Sequence, residues 1–204
     1  MEIIYSNSNN NKYFKNRSFT SFIGEASDLS TIVNDMTELT IKKNAKVKKL
    51  VNNIDFINML GLSPDILKSR LNEISYSEYK LILLIYACEM HPDLVILNNL
   101  DLGLNHKDKS KISKFIKLIN AEYKTSFLII SNDILFLNKI SKHLIIAKNK
   151  IIKYQGDILS AIKSGLVSKP PIIEFIELAN EKGANLTYTL DNKELLKDIY
   201  RSIF

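Results

Sequence analysis

The 204-residue sequence contains few of the residues that cross-link or interrupt a chain: one cysteine, six glycines, four prolines and no tryptophan. A single thiol, that of Cys88, cannot form an intramolecular disulfide, which excludes the disulfide-rich secreted domains. The longest mostly apolar run, Leu81–Cys88, is far shorter than the roughly 20 residues of a membrane-spanning helix. The first residues also lack the basic and apolar segments of a signal peptide. We therefore expect a cytoplasmic protein.

Arginine is equally scarce. The net charge of +6 comes from 28 basic and 22 acidic residues, but only Arg17, Arg70 and Arg201 carry a guanidinium. The planar fork of arginine suits base edges and phosphates better than lysine does, so we expect no nucleic-acid partner. The lysine-rich run Lys42–Lys49 is more typical of a solvated face. A nucleic-acid-binding module that uses the lysine surface stays an alternative.

The composition is otherwise ordinary, 46% hydrophobic and 25% charged, which suffices for a buried core. In the middle of the chain, short apolar strands alternate with helices. This order is typical of a doubly wound parallel sheet. The predicted elements of this region are the helix Ser77–Met90, the strand Leu94–Leu97, the helix Lys109–Tyr123, the strand Ser126–Ser131, the helix Asp133–Ser141 and the strand His143–Ala147.

The two ends of the chain are predicted as shorter pieces. Before the central region we expect the strands Glu2–Tyr5 and Ser18–Ile23, a turn at Ser6–Asn11, a strand near Tyr13, a helix from about Ser27, and helical pieces at Val51–Leu60 and Asp65–Leu71. After it we expect the strand Lys150–Tyr154 and the helices Asp157–Ser164, Pro171–Lys182 and Asn192–Ile203. We divide the chain into a domain of residues 1–160 and a small helical extension of residues 161–204.

Five segments of the chain occur in a characteristic order: Ile74–Glu78, Leu94–Asn99, Asp101–Asn105, Ile129–Asp133 and His143–Gly156. In this order they resemble the signature, the Walker B strand, the loop after it, the switch strand and the closing strands of an ABC-type ATPase domain. The resemblance implies an α/β fold of the P-loop NTPase type, with a mostly parallel sheet flanked by helices. The interval from Thr31 to Ser75 is shorter than in that family. We therefore expect a shortened helical subdomain without the loop that docks on membrane subunits.

The C-terminal residues carry a second resemblance. Gly165, Pro170-Pro171, Glu174–Ala179, Glu181–Gly183 and Leu186 resemble the C-terminal extension of the ATPase subunits of energy-coupling-factor and cobalt-type transporters, where the extension mediates dimerisation. The resemblance implies a dimerisation role for Pro170, Pro171, Phe175, Leu178 and Leu195. It implies a homodimer, or a heterodimer with an active ABC-type ATPase. It also implies association with a membrane transporter complex, at the inner face of the cell membrane.

The segment that stands at the phosphate-binding loop has lost most of the loop's pattern. Such a loop, G-x4-G-K-[ST], surrounds a phosphate with backbone N–H groups and supplies a lysine and a hydroxyl that holds Mg²⁺. The segment Gly24–Thr31 reads GEASDLST, in which Leu29 and Ser30 replace the second glycine and the lysine. Its two acidic residues would repel a polyanion, and residues 18–41 contain no basic residue. The pattern predicts a plain strand-to-helix turn with an acidic helix start.

The other positions of the nucleotide site carry amides. ATP hydrolysis uses a carboxylate that holds Mg²⁺, a second one that positions the attacking water, and a histidine that senses the γ-phosphate. Asn98, Asn99 and Asn132 stand at these three positions. A carboxamide neither neutralises a metal ion nor takes up a proton. The signature keeps Ser75, but Tyr76-Ser77 replaces its glycines.

From these replacements we predict a catalytically inactive homologue, a pseudo-ATPase, that acts as a structural or regulatory dimerising subunit and uses no cofactor. Its vestigial nucleotide-site positions are Gly24, Ser30, Thr31, Ser75, Asn98, Asn99 and Asn132. No metal site is expected, because His91, His106 and His143 have no ligand spacing. The alternative is a divergent subunit of an ECF or ABC uptake transporter, which would bind ATP and Mg²⁺.

Overall fold

The computed structural model describes residues 3–6, 18–31, 33, 37–39 and 41–203. The predicted strand near Tyr13 and most of the predicted turn Ser6–Asn11 lie outside these residues. Ser6 itself ends the first strand rather than opening a turn.

The described strands form one mixed sheet in the order β3-β1-β4-β5-β2-β6-β7. The strands are β1 Ile3–Ser6, β2 Phe19–Ile23, β3 Thr37–Glu38, β4 Leu94–Asn98, β5 Ser126–Ile130, β6 His143–Lys148 and β7 Ile151–Asp157. The predicted parallel arrangement is confirmed for the four central strands, β4, β5, β2 and β6. The flanking strands differ from a fully parallel sheet, because β1 pairs antiparallel with β4 and β3, and β7 pairs antiparallel with β6. A tight turn joins β6 to β7, which permits only an antiparallel pair.

Seven α-helices surround the described part of the sheet, and their bounds lie close to the predicted ones after residue 75. They are α1 Ile54–Met59, α2 Tyr76–Glu89, α3 His106–Tyr123, α4 Ile134–Ile140, α5 Ile158–Lys163, α6 Pro171–Glu181 and α7 Asn192–Ile203. The predicted helix from Ser27 is instead a 3₁₀ turn, Ala26–Thr31. Helix α3 begins three residues before its predicted start at Lys109, because the Asn105 side chain accepts the N–H of Asp108 and caps the first turn.

The apolar core lies on both faces of the sheet, because alternate side chains of a strand point to opposite faces. Val95 and Leu97 of β4 join the large cluster beneath α2 and α3, whereas Leu94 and Ile96 join a smaller cluster on the other face. Leu29, from the 3₁₀ turn Ala26–Thr31, belongs to the smaller cluster. The turn therefore covers one face of the sheet.

Residues 41–75 lie in the interval from Thr31 to Ser75, where the shortened helical subdomain stays a prediction. They contain α1 and two 3₁₀ turns, Val47–Lys49 and Pro64–Lys68. Phe56 of α1 packs edge-on against Phe115 of α3, with ring centroids 5.1 Å apart. The short segment is thus tied directly to the core.

The C-terminal helices pack on the same core as the central region. Buried apolar residues from the extension belong to the large cluster: Ile173, Ile176, Leu186, Leu190 and Leu195. The division of the chain at residue 160 stays a prediction. None of the described helices combines the length and apolarity that a membrane span requires.

Candidate functional site

The candidate positions lie along one edge of the sheet, where the parallel strands β4, β5 and β2 end side by side. Asn98 is opposite Ile130 in the register of β4 and β5, and Ile130 is opposite Phe22 of β2. Asn99 donates its backbone N–H to the carbonyl of Ile130, at 2.9 Å. Ligands of open α/β sheets bind at this carboxyl edge. The structure therefore brings Gly24, Asn98, Asn99 and Asn132 to the place where a ligand would be expected.

The loop after β2 is closed by its own carboxylate. Asp28 is only 3% exposed, and one of its oxygens accepts the backbone N–H of Glu25, at 3.1 Å. Its other oxygen accepts the backbone N–H of Lys150, at 2.6 Å. Lys150 and Asn149 form the tip of the β6–β7 hairpin, with φ of 58° and 54°. The loop is therefore linked through Asp28 to a hairpin 122 residues further along the chain.

The residues beside Asp28 have structural roles. Leu29, at the position of the second loop glycine, is 1% exposed and lies in the smaller apolar cluster. Ser30, at the position of the lysine, is exposed and donates its hydroxyl to the carbonyl of Ser27, at 3.2 Å. Gly24 is required by close packing, since a Cβ there would lie 2.8 Å from a ring atom of Phe22. The turn ends at Thr31, whose side chain lies outside the described part of the chain.

The two amides at the end of β4, Asn98 and Asn99, are paired with each other. The Asn99 amide donates to the Asn98 side-chain oxygen, at 3.1 Å, and both residues are half-buried. Asn99 has φ of 51°, a left-handed conformation that asparagine tolerates better than glutamate does. The amide at position 99 therefore suits the backbone there.

A buried lysine that was not predicted from the sequence holds the loop after β4. Lys80 of α2 is fully buried, and its ammonium donates to the carbonyl oxygens of Leu102 (2.7 Å), Leu100 (3.3 Å) and Asn99 (3.4 Å). It also lies 4.7 Å from the centroid of the Tyr76 ring. The available signal was one lysine in an otherwise apolar part of α2. Lys80 fixes the path of the chain directly after the two amides.

A charged cluster next to Asn132 was also missed. The Lys109 ammonium lies 2.8 Å from a carboxylate oxygen of Asp133 and 3.8 Å from one of Asp101. Asp101 is 3% exposed, and its other oxygen has no hydrogen-bond partner among the described residues. Burial raises the pKa of Asp133, but the hydrogen bonds from Lys109 and from the backbone N–H of Phe136 outweigh this and hold that pKa below its ordinary value. Lys109 thus connects the loop after β4 to the start of α4.

Comparison with known proteins shows both a sequence relative and a common fold. The chain is 28% identical over 125 residues to the zinc import ATP-binding protein ZnuC of Buchnera aphidicola subsp. Schizaphis graminum (strain Sg), an alignment that covers 60% of the chain and 52% of that protein. The chain thus spans about half the length of the curated relative that it matches. No protein-family model matches the chain.

The solved structures decide the fold. The dimeric structure of MJ0796, a bacterial ABC transporter cassette, aligns with a TM-score of 0.58 at 12% identity, over 76% of the chain and 98% of the cassette. The post-hydrolysis dimer of MJ0796 bound to ADP and Pi aligns with a TM-score of 0.56 at 13% identity, over 71% of the chain and 87% of the cassette. The chain has the fold of an ABC-type ATPase domain. We call residues 18–160 of this ABC-type fold the cassette below.

In the segment that resembles the signature, Ser75 serves as the N-cap of α2. Its hydroxyl accepts the N–H of Glu78, at 3.3 Å, and the Glu78 carboxylate accepts the N–H of Ser75, at 2.9 Å. This reciprocal pair is a capping box, worth about 1 kcal/mol of helix stability. The retained serine is accounted for by this local role.

The structure shows the surroundings of His91, Cys88 and Asn132. Within the described ranges, no three His, Cys, Asp or Glu side chains come together to form a metal site. His91 stacks on Tyr123, with ring centroids 4.2 Å apart. Burial raises the pKa of the Cys88 thiol, which disfavours a thiolate. Asn132 is exposed on the loop between β5 and α4.

The residues predicted for dimerisation fall into two groups. Phe175 and Leu178 on α6 are 49% and 58% exposed, and Pro171 is also exposed. Pro170 and Leu195 are buried within the chain itself. An interface formed by α6 would therefore use the first group, and the dimerisation role of all five residues stays a prediction.

Proposed function

We propose that the chain is a catalytically inactive ABC-type ATPase homologue that acts as a structural or regulatory dimerising subunit. The observation that carries this proposal is the contact that Asp28 makes with the loop after β2. In a phosphate-binding loop, backbone N–H groups are free for phosphate oxygens. Here the N–H of Glu25 is donated to a buried carboxylate of the chain itself. A triphosphate would meet a negative charge in place of a donor.

The residues along the sheet edge also fit magnesium poorly. Mg²⁺ in phosphoryl-transfer sites is bound through one or two carboxylates together with phosphate oxygens. The side chains at the corresponding positions are the carboxamides of Asn98 and Asn99, already bonded to each other. We derive no hydrolytic step through Mg-ATP.

The dimerising role is supported by the exposed apolar face of α6. Phe175 and Leu178 are half-exposed on a helix whose opposite residues, Ile173 and Ile176, are buried. In the proposed function this face pairs with a second copy or with an active ATPase of the same type. The pair would lie in the cytoplasm, at a transporter complex of the cell membrane.

The inactive site is tested by hydrolysis and by thermal unfolding with and without millimolar Mg-ATP. We expect no release of phosphate and no stabilisation that requires Mg²⁺. A ligand at about 100 times its Kd stabilises the native state by roughly 2.7 kcal/mol, so a functional site would be obvious. Phosphate release, or a shift that depends on Mg²⁺, would overturn the proposal.

The interface is tested by sedimentation of the full chain at micromolar concentration, alone and with related ATPases. We expect a dimer. The double substitution Phe175→Asp/Leu178→Asp should raise the Kd of this dimer by about 30-fold or more, since buried apolar anchors of an interface contribute ~2 kcal/mol. The matched control is Ile54→Asp, an equally exposed apolar residue on α1. A monomer under all conditions, or equal weakening by the control, would contradict the dimerising role.

The alternative function is an ATP-binding subunit of an uptake transporter, and the similarity to a zinc import ATP-binding protein favours it. In that case Mg-ATP would bind despite the replaced residues, and hydrolysis would appear when the membrane subunits are present. The Mg²⁺-dependent shift described above separates the two functions without knowledge of the partner.

A further inference from the structure

A cavity of about 610 Å³ lies where the C-terminal extension meets the cassette. It is lined by the start of α3, by one side of α4 and by the residues that lead into α7. We call it the junction cavity and define it by His106, Leu135, Lys139, Lys142, Leu190 and Lys193. Its volume is in the range of small-molecule sites in proteins.

The junction cavity has an excess of positive charge. Three of its side chains are lysines, and the described part of the chain places no carboxylate within 4.0 Å of the ammonium groups of Lys139, Lys142 or Lys193. One acidic residue lines the cavity, Asp191, and its carboxylate accepts the backbone N–H of Lys193, at 2.8 Å. The Lys142 ammonium donates to the Asn138 side chain, at 2.9 Å, and its charge also helps to lower the pKa of Asp157.

Two basic groups meet directly in this cavity. The Lys139 ammonium lies 2.6 Å from Nε2 of His106. At this distance the imidazole nitrogen accepts a hydrogen bond from the ammonium. The first residues of α3 and α7, His106 and Asn192, also line the cavity, but side chains of the protein already accept an N–H group at each helix start, those of Asp108 and Lys193.

The walls are not uniformly polar. Leu190 is buried, and Leu135 is 39% exposed beside the lysines. A ligand with a phosphate and an apolar part would match both features, because lysine binds phosphate as a point charge and leucine contacts the apolar part. We propose that the junction cavity binds a small organic phosphate. Bound there, the ligand would contact α4 of the cassette and α7 of the extension together.

The test uses inorganic phosphate and phenyl phosphate as probes, titrated by calorimetry in EDTA at constant ionic strength. We expect saturable binding of both, with phenyl phosphate tighter. The double substitution Lys139→Gln/Lys142→Gln should weaken both probes by about tenfold or more, whereas Leu135→Ser should weaken phenyl phosphate alone. The matched control, Lys42→Gln/Lys43→Gln, removes the same charge from exposed lysines of residues 41–75 and should leave the Kd within about twofold.

Each outcome separates this proposal from the proposed function. The absence of saturable binding would overturn the junction site. Equal weakening of binding by the control substitution would overturn it too, because the effect would then come from the net charge of the protein. Binding that requires Mg²⁺ and survives Lys139→Gln/Lys142→Gln would overturn it as well, and would place the phosphate at the sheet edge. Binding in EDTA that the cavity substitutions remove supports the junction site and leaves the inactive sheet edge untouched.

Discussion

The sheet edge and the junction cavity have opposite electrostatic character. The edge carries paired amides and a buried carboxylate, Asp28, bonded to the loop that a phosphate would otherwise occupy. The cavity carries three lysines and a histidine, with no ion pair to its lysines among the described residues. Under the two proposals, the anion-binding groups of this chain lie in the junction cavity and not at the sheet edge, because side chains rather than the fold determine where such groups lie.

The largest change in the free energy of unfolding is expected from Leu29→Ala, in the loop after β2 at the sheet edge. Leu29 is buried where a phosphate loop has glycine, so its truncation leaves a cavity in the smaller apolar cluster. We expect a loss of about 3 kcal/mol in the free energy of unfolding, measured in urea. The control Leu102→Ala, at a leucine 60% exposed, should change it by less than ~0.5 kcal/mol. Equal losses would mean that the loop is not packed as described.

The next largest effect is expected from Lys80→Met. The substitution keeps the length of the side chain but leaves the carbonyls of Leu100 and Leu102 without their donor. We expect a loss of about 1–3 kcal/mol in unfolding free energy, as for unsatisfied buried polar groups. Lys107→Met, at an exposed lysine of α3, is the control and should be nearly neutral. A neutral Lys80→Met would remove the role assigned to this ammonium.

A smaller effect is expected from Asp28→Asn. The amide retains one acceptor oxygen for two N–H donors, those of Glu25 and Lys150, so one hydrogen bond is lost. We expect about 1–2 kcal/mol of destabilisation. The amide hydrogen that loses its acceptor, that of Glu25 or of Lys150, should also exchange faster with solvent, which NMR would detect. Unchanged exchange at both residues would argue that the carboxylate does not link the loop to the hairpin.

The smallest expected effect is on the pH dependence of the free energy of unfolding. Because the folded pKa of Asp133 is depressed by Lys109 and by backbone N–H groups, its contribution to stability is complete above the ordinary carboxyl pKa, near 3.8. It is lost as the pH falls through the depressed value. In Asp133→Asn we therefore expect a smaller loss of stability between pH 5 and pH 2 than in the unchanged chain. The difference at neutral pH should be at most about 1 kcal/mol, as for a partly exposed ion pair. Identical acid profiles would contradict the shift.

Local patterns predicted the regular elements well. Helix α2 was predicted from its apolar run and from Pro92, which follows its end, and α3 was predicted from the helical spacing of Ile112, Phe115, Ile116 and Ile119. The apolar runs that became β4 and β5 are typical of strands buried on both faces. The antiparallel flank formed by β1 and β3 was not predictable in this way, because the pairing of β1 with β4 joins residues about 90 positions apart.

The vestigial nucleotide site stays a prediction, although its residues Asn98 and Asn99 do lie at the end of β4. Asn98, Asn99 and Asn132 were singled out because their segments resemble the Walker B and switch strands. The hydrogen-bond partners of Asp28 and Lys80 were not predicted, because they are backbone groups that only the tertiary fold brings close. The junction cavity combines residues of α3, α4 and α7, and no local pattern marks such a combination.

The link between Asp28 and Lys150 also sets an order of events during synthesis. Strand β2 lies between β5 and β6, so none of its sheet partners exists until the chain has grown past residue 126. At a ribosome speed of about 10 residues per second, β2 and its loop would wait on the order of ten seconds before the hairpin tip is made. The early chain therefore exposes a short apolar strand for that time. The pairing of β2 with β5 and β6 belongs among the slow, long-range steps of folding.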